Sequence, residues 1–82
     1  MDSFLNTLNA QTTISYSLPK ASLVTIDIYD LLGRKLETLV ESNQEAGCYS
    51  VVWDAKDRSS GIYLCRIKAG EMSISRKMVL LK

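Results

Sequence analysis

Histidine is absent from the 82 residues, which removes at once the commonest general base and the commonest metal ligand. Cysteine is scarce: Cys48 and Cys65 stand 17 positions apart with no second pair, so a structural zinc site would need borrowed ligands. No hydrophobic run approaches the roughly 20 residues that span a bilayer as a helix. Charge of either sign is not in excess. Ten Lys plus Arg against nine Asp plus Glu leave +1, which gives no global attraction to nucleic acid or to an anionic membrane. The only adjacent basic pairs are Arg34-Lys35 and Arg76-Lys77, and a solvated strand face accounts for each. From Met1 to Gln11 there is Asp2 and no basic residue, which is not the pattern of a secretory signal peptide.

What remains is an ordinary globular composition, 46% hydrophobic and 23% charged, in a chain long enough for one modest core. The apolar residues alternate with polar ones, and no segment keeps a helical period. Thr12–Leu18 reads as a strand with Ile14, Tyr16 and Leu18 on its apolar face, and Pro19 ends it. Ser22–Tyr29 resumes the alternation, with Val24, Ile26 and Ile28 inward and Thr25, Asp27 and Tyr29 outward. Asp30-Leu31-Leu32-Gly33 has the residues of a tight reversal, an Asp to bond the backbone ahead and a Gly to close a bulged hairpin.

Arg34–Glu41 returns as a strand presenting Leu36 and Val40. Leu39 falls on the wrong face for that alternation, and a bulge resolves the conflict. Ser42–Gly47 reads as a polar loop. Cys48–Trp53 is a strand with Tyr49, Val51 and Trp53 on one face, and Ile62–Ala69 is another with Tyr63, Cys65 and Ile67 inward. Ala69-Gly70-Glu71 turns the chain. In Met72–Lys82 the apolar face passes from Met72 and Ile74 to Val79 and Leu81 only if a bulge lies near Arg76–Met78.

Six or seven short antiparallel strands, each with one apolar face, predict an all-β, immunoglobulin-like or fibronectin-like β-sandwich; a small barrel is the alternative. Outward Asp27, Glu37 and Arg66 would discourage stray edge pairing.

Candidate chemistry is thin. Asp54 and Asp57 flank a loop with Ser59 and Ser60, a spacing that suits backbone capping better than a calcium loop. Neither serine has a histidine to activate it. Glu37, Glu41 and Glu45 read as surface charge. Cys65 points into the core and Cys48 to the opposite face, which argues against a disulfide between them. Tyr63, two residues after Gly61, is placed to return its hydroxyl to nearby backbone in the manner of a tyrosine corner. The chain is therefore expected to be no enzyme, to need no cofactor or metal, and to take no nucleic acid or small-molecule substrate.

Several separated segments, in order, resemble one known family. They are Thr12–Pro19, Ile28–Leu36, Ala46-Gly47 with Val51, Trp53 and Asp54, Ser60–Tyr63, Arg66, Ala69-Gly70 and Arg76–Lys82. Together they resemble the C-terminal sorting domain (type A) of proteins exported by the type nine, or Por, secretion system, over about Asn6–Lys82. The immunoglobulin-like domain of the flagellar hook-capping protein is the nearest competing family. At its start the chain departs from the family, reading Asn6-Thr7-Leu8-Asn9-Ala10 where an Asn-Pro-Phe-Asn-Pro stretch is usual.

The resemblance implies a linker over residues 1–11 and the sorting domain over 12–82, behind an upstream cargo that is not in this chain. It implies an address that takes the cargo through the periplasm and the outer membrane to the cell surface or extracellular space. The partners would be the outer-membrane secretion machinery and a sortase-like peptidase for which the domain is substrate. Tyr29, Gly33, Gly47, Trp53, Gly61, Tyr63 and Gly70 would define the fold, and Lys77, Met78, Val79, Leu80, Leu81 and Lys82 would carry recognition. A structural or adhesive module making protein–protein contacts is the alternative function.

Overall fold

Alternating apolar residues bounded by turn formers give six strands in the computed structural model, which describes residues 11–80: β1 (Gln11–Leu18), β2 (Ser22–Tyr29), β3 (Lys35–Gln44), β4 (Gly47–Asp54), β5 (Gly61–Ala69) and β6 (Met72–Leu80). They form two sheets, one of two strands in the order β1-β4 and one of four in the order β3-β2-β5-β6, every pairing antiparallel. This is an immunoglobulin-like β-sandwich, not a barrel. Gln11 opens β1, and the rest of the expected linker lies outside the described residues.

The core lies between the sheets, and the alternation rule places its rows on β1, β2, β4 and β5 correctly. Val24, Ile26 and Ile28 of β2 are fully buried, as is Cys65 of β5, with Ile14 and Leu18 of β1 and Trp53 of β4 covering them from the other sheet. Each such aliphatic side chain contributes roughly 1.5–3 kcal/mol when withdrawn from water. Trp53 meets the edge of Tyr63 with ring centroids 5.2 Å apart, and Tyr16 stacks on Tyr49 at 5.5 Å. The four rings expected to face inward therefore pair across or along the sandwich.

Strand β3 carries the expected bulge. The ladder steps from Ile26–Val40 to Asp27–Thr38, leaving Leu39 unpaired, and a second step from Ile28–Glu37 to Tyr29–Lys35 leaves out Leu36. Both extra leucines are half-buried against the core. A bulge bends the strand and raises its twist. In consequence the outer edge of β3 is a poor template for further pairing.

Four expectations fail, each for a definable reason. The polar segment after Glu41 is no loop up to Gly47: Ser42, Asn43 and Gln44 continue β3 because Val24, Leu23 and Ser22 supply ladder partners, and only Glu45-Ala46 connects to β4. Strand β6 has no bulge. Its register runs unbroken from Ala69–Met72 to Gly61–Leu80, so its inward row is Met72, Ile74, Arg76, Met78 and Leu80, and Val79 faces outward. Asp27 and Arg66 do not guard an edge, since β2 and β5 are the central strands of their sheet. Asp27 is only 4% exposed, its carboxylate accepting a 2.7 Å bond from the Thr38 hydroxyl. Glu37 is not free surface charge, because the bulge at Leu39 turns it to the same face as Ile28.

Candidate functional site

The residues that the resemblance singled out fall into two groups, positions that set the turns and corners and positions along the last strand. Turn chemistry comes first in the chain. The Asp30 carboxylate accepts bonds from the backbone N–H of Leu32 at 2.9 Å and of Arg34 at 3.0 Å, while its other oxygen accepts from Arg34 Nε at 2.8 Å. Gly33 at φ 84° donates to the Asp30 carbonyl, a conformation that a Cβ would strain. These bonds hold the Asp30 carboxyl below the usual carboxylate range: the Arg34 backbone bond is the largest cause, opposed by desolvation and aided by the Arg34 side chain, the Leu32 N–H and the Arg34 charge. The rigid tip presents Leu31 and Leu32, 63% and 78% exposed.

Tyr29, at the end of β2, is half-buried between Lys35 and Leu64 and not freely solvated. Gly70 at φ 61° turns β5 into β6 and donates to the Leu23 carbonyl at 3.3 Å. Gly47 begins β4 at φ 150°, which a side chain would strain even though the Tyr49 ring leaves space for a Cβ; Gly61 begins β5 beside the Tyr63 ring and opposite Leu80.

The corner made by Trp53 and Tyr63 is where the two sheets are locked together. The Tyr63 hydroxyl donates to the Ser59 carbonyl at 2.6 Å, which is the tyrosine-corner bond expected from its position after Gly61. Trp53, 2% exposed, donates its indole N–H to Glu37 Oε2 at 2.8 Å. The same carboxylate oxygen takes Arg58 Nε at 3.2 Å, and Arg58 Nη2 reaches the Leu36 carbonyl at 3.3 Å. Glu37 and Arg58 were missed in the sequence. The available signal was Trp53 itself, since a buried indole N–H needs an acceptor and the facing strand must supply it.

Of the residues expected to carry recognition, Lys77 to Leu80 fall on β6, which among the described residues is paired on one side only, with β5. Its end is anchored by Leu80, which is buried opposite Gly61, and by half-buried Met78 opposite Tyr63. Lys77 and Val79 alternate with these on the outer face, opposite Leu64 and Ile62, and both are exposed. Leu81 and Lys82 lie outside the described residues. One strand thus buries one row and offers another.

Among the described residues no three His, Cys, Asp or Glu side chains cluster to hold a metal. Asp54 accepts from the Lys56 backbone N–H at 3.2 Å, the capping role expected of it. Both cysteines are free: Cys48 is exposed, and Cys65 is buried, which pushes its thiol up and makes it a poor nucleophile.

A small two-sheet β-sandwich whose strand β6 is, among the described residues, paired on one side only defines the class: an immunoglobulin-like domain. The comparison with protein families gives that class its particular form. Residues 6–81 match the secretion system C-terminal sorting domain, and the chain belongs to that family. No curated protein and no solved structure gave a match. Domains of this family are non-catalytic signals that engage the type nine secretion machinery and direct cargo to the cell surface or extracellular space.

Proposed function

We propose that this domain is read by the outer-membrane secretion machinery through its terminal strand, Lys77 to Lys82, and is afterwards a substrate for a cell-surface sortase-like peptidase that severs it from an upstream cargo. One observation carries the reading: among the described residues β6 is an edge strand, whose Met78 and Leu80 fasten it to the core while Lys77 and Val79 stand exposed. Such a strand presents backbone donors and acceptors together with a cation, and strand addition is the general way in which an edge is captured. Peptidases bind extended, accessible chain. From Gln11 to Leu80 the backbone is committed to ladders and short connections, so the severed bond falls outside that stretch, on the cargo side of Gln11.

Deleting Met78–Lys82 alone is an ambiguous test, because it also removes buried Leu80. The informative variant is Lys77→Glu with Val79→Thr, which alters only the outward row. The chain is fused behind a signal peptide and a folded reporter in a bacterium that has the type nine machinery, and reporter at the surface or in the medium is compared with reporter held in the periplasm. Loss of delivery with an unchanged unfolding midpoint supports terminal-strand recognition. Normal delivery of the double variant overturns it and leaves the structural or adhesive module as the better reading.

A further inference from the structure

The two sheets do not match in width. Neighbouring strands lie about 4.8 Å apart, so a four-stranded sheet is roughly three intervals wide and a two-stranded one only one. Strand β4 is held on the β3 side, since only Glu45-Ala46 joins them, Trp53 bonds Glu37, and the Tyr49 hydroxyl donates to the Glu45 carbonyl at 2.6 Å. Strand β1 lies next, and among the described residues β4 is its only ladder partner. None of the described strands occupies the lane beyond β1, over β6.

The inward row of β6 registers that vacancy. Met72 and Ile74 are each 43% exposed, while their β5 partners Ala69 and Ile67 are buried. Arg76 crosses the lane, its Nη1 donating to the Ser15 carbonyl of β1 at 2.9 Å. A side chain here makes the kind of bond that a neighbouring strand would make.

Strand β1 itself carries nothing that blunts its edge. Gln11–Leu18 contains no charge and no proline, and its eight pairings with β4 run without a bulge. The outer strand of the other sheet, β3, is interrupted twice and carries Lys35 and Glu41. Proteins ordinarily blunt long, flat edges with charges, prolines or bulges. This one has none on its own strand, and Arg76 of β6 is the charge that reaches it.

We propose that the free edge of β1 receives an extended strand from a partner protein, with apolar side chains over Met72 and Ile74 and a carboxylate facing Arg76. Strand addition supplies the Ser15 carbonyl with a backbone donor, releasing the guanidinium to pair with the guest carboxylate. A second copy of this chain is the poorer occupant on charge. Its β1 contains no acidic residue, and two-fold pairing of β1 with β1 would bring a second Arg76 to the same lane. This surface is separate from the outward row of β6, so it stands or falls independently of export.

The test is an amide and methyl NMR titration of the whole chain with a capped eight-residue peptide alternating Thr and Val, with Glu at its fourth position, and with the same peptide carrying Lys there. The proposal expects shifts at Thr13, Ser15 and Ser17 and at the Met72 and Ile74 methyls, with the Glu peptide bound at least tenfold more tightly. Arg76→Glu should reverse that preference, and Arg76→Gln, which retains a donor for Ser15, should erase it whether or not the charge reversal folds. Absence of shifts at millimolar peptide, or equal binding of both peptides by the unmodified chain, overturns the proposal. Concentration-dependent self-association through β1 that neither peptide displaces also overturns it and assigns the lane to a second copy.

Discussion

Replacing Glu37 by alanine separates the structure from the simplest reading of the sequence. As a surface charge on an edge strand it would be dispensable, and such substitutions usually change stability by no more than about 0.5 kcal/mol. The structure makes it the acceptor for the indole N–H of Trp53, at 2.8 Å, and for Arg58. An orphaned buried donor costs about 1–3 kcal/mol. The Arg58 pair, with both side chains about one-third exposed, adds no more than about 1 kcal/mol. A loss of about 2–3 kcal/mol is expected. At about 4–8 °C per kcal/mol for a domain of this size, the unfolding midpoint should fall by roughly 10–20 °C. Urea unfolding followed by Trp53 fluorescence measures both the stability and the environment of the indole, whose emission should shift to the red. Glu37→Gln retains an acceptor oxygen and should lose less than half as much. In a Trp53→Phe background the cost of Glu37→Ala should shrink by at least 1 kcal/mol, roughly the lower bound for an orphaned donor. A loss below about 0.5 kcal/mol in the unmodified chain would refute the assignment of Glu37 to the core corner.

Two further outcomes are expected. The Asp30 carboxyl is held below its ordinary value of 3.8 by its bonds to Arg34 and Leu32, so its contribution is present above the unfolded pKa and is lost as pH falls through the lowered folded pKa. Asp30→Asn should therefore flatten the acid limb of the stability curve below about pH 4, and a limb of unchanged slope would dissociate the turn from acid unfolding. A thiol reagent should modify Cys48 rapidly in the native protein and Cys65 only on unfolding, because burial raises the Cys65 thiol pKa and hides its sulfur; two equivalents consumed at the fast rate would contradict the placement of Cys65.

Alternation was legible wherever a strand had a wet face and a dry one, as in Ile14, Tyr16 and Leu18 or Tyr63, Cys65 and Ile67. Turn chemistry was equally legible, because Asp30 and Gly33 leave the backbone few other conformations. The misreadings share a cause: a strand's sequence reports its own two faces and says nothing of what lies beside or above it. Asp27 looks like a solvent residue, yet β3 and β5 flank it and the Thr38 hydroxyl satisfies it. Arg76 sits in an inward row, which invited a bulge that is not there. An inward arginine is tolerated because, among the described residues, the covering sheet stops at β1, leaving the guanidinium space to reach the Ser15 carbonyl. The width of a sheet is a non-local property, fixed by which strands find each other. It follows that the fold-defining turns of a domain this small can be read from its chain, whereas its open lane and its open edge emerge only when the strands are assembled.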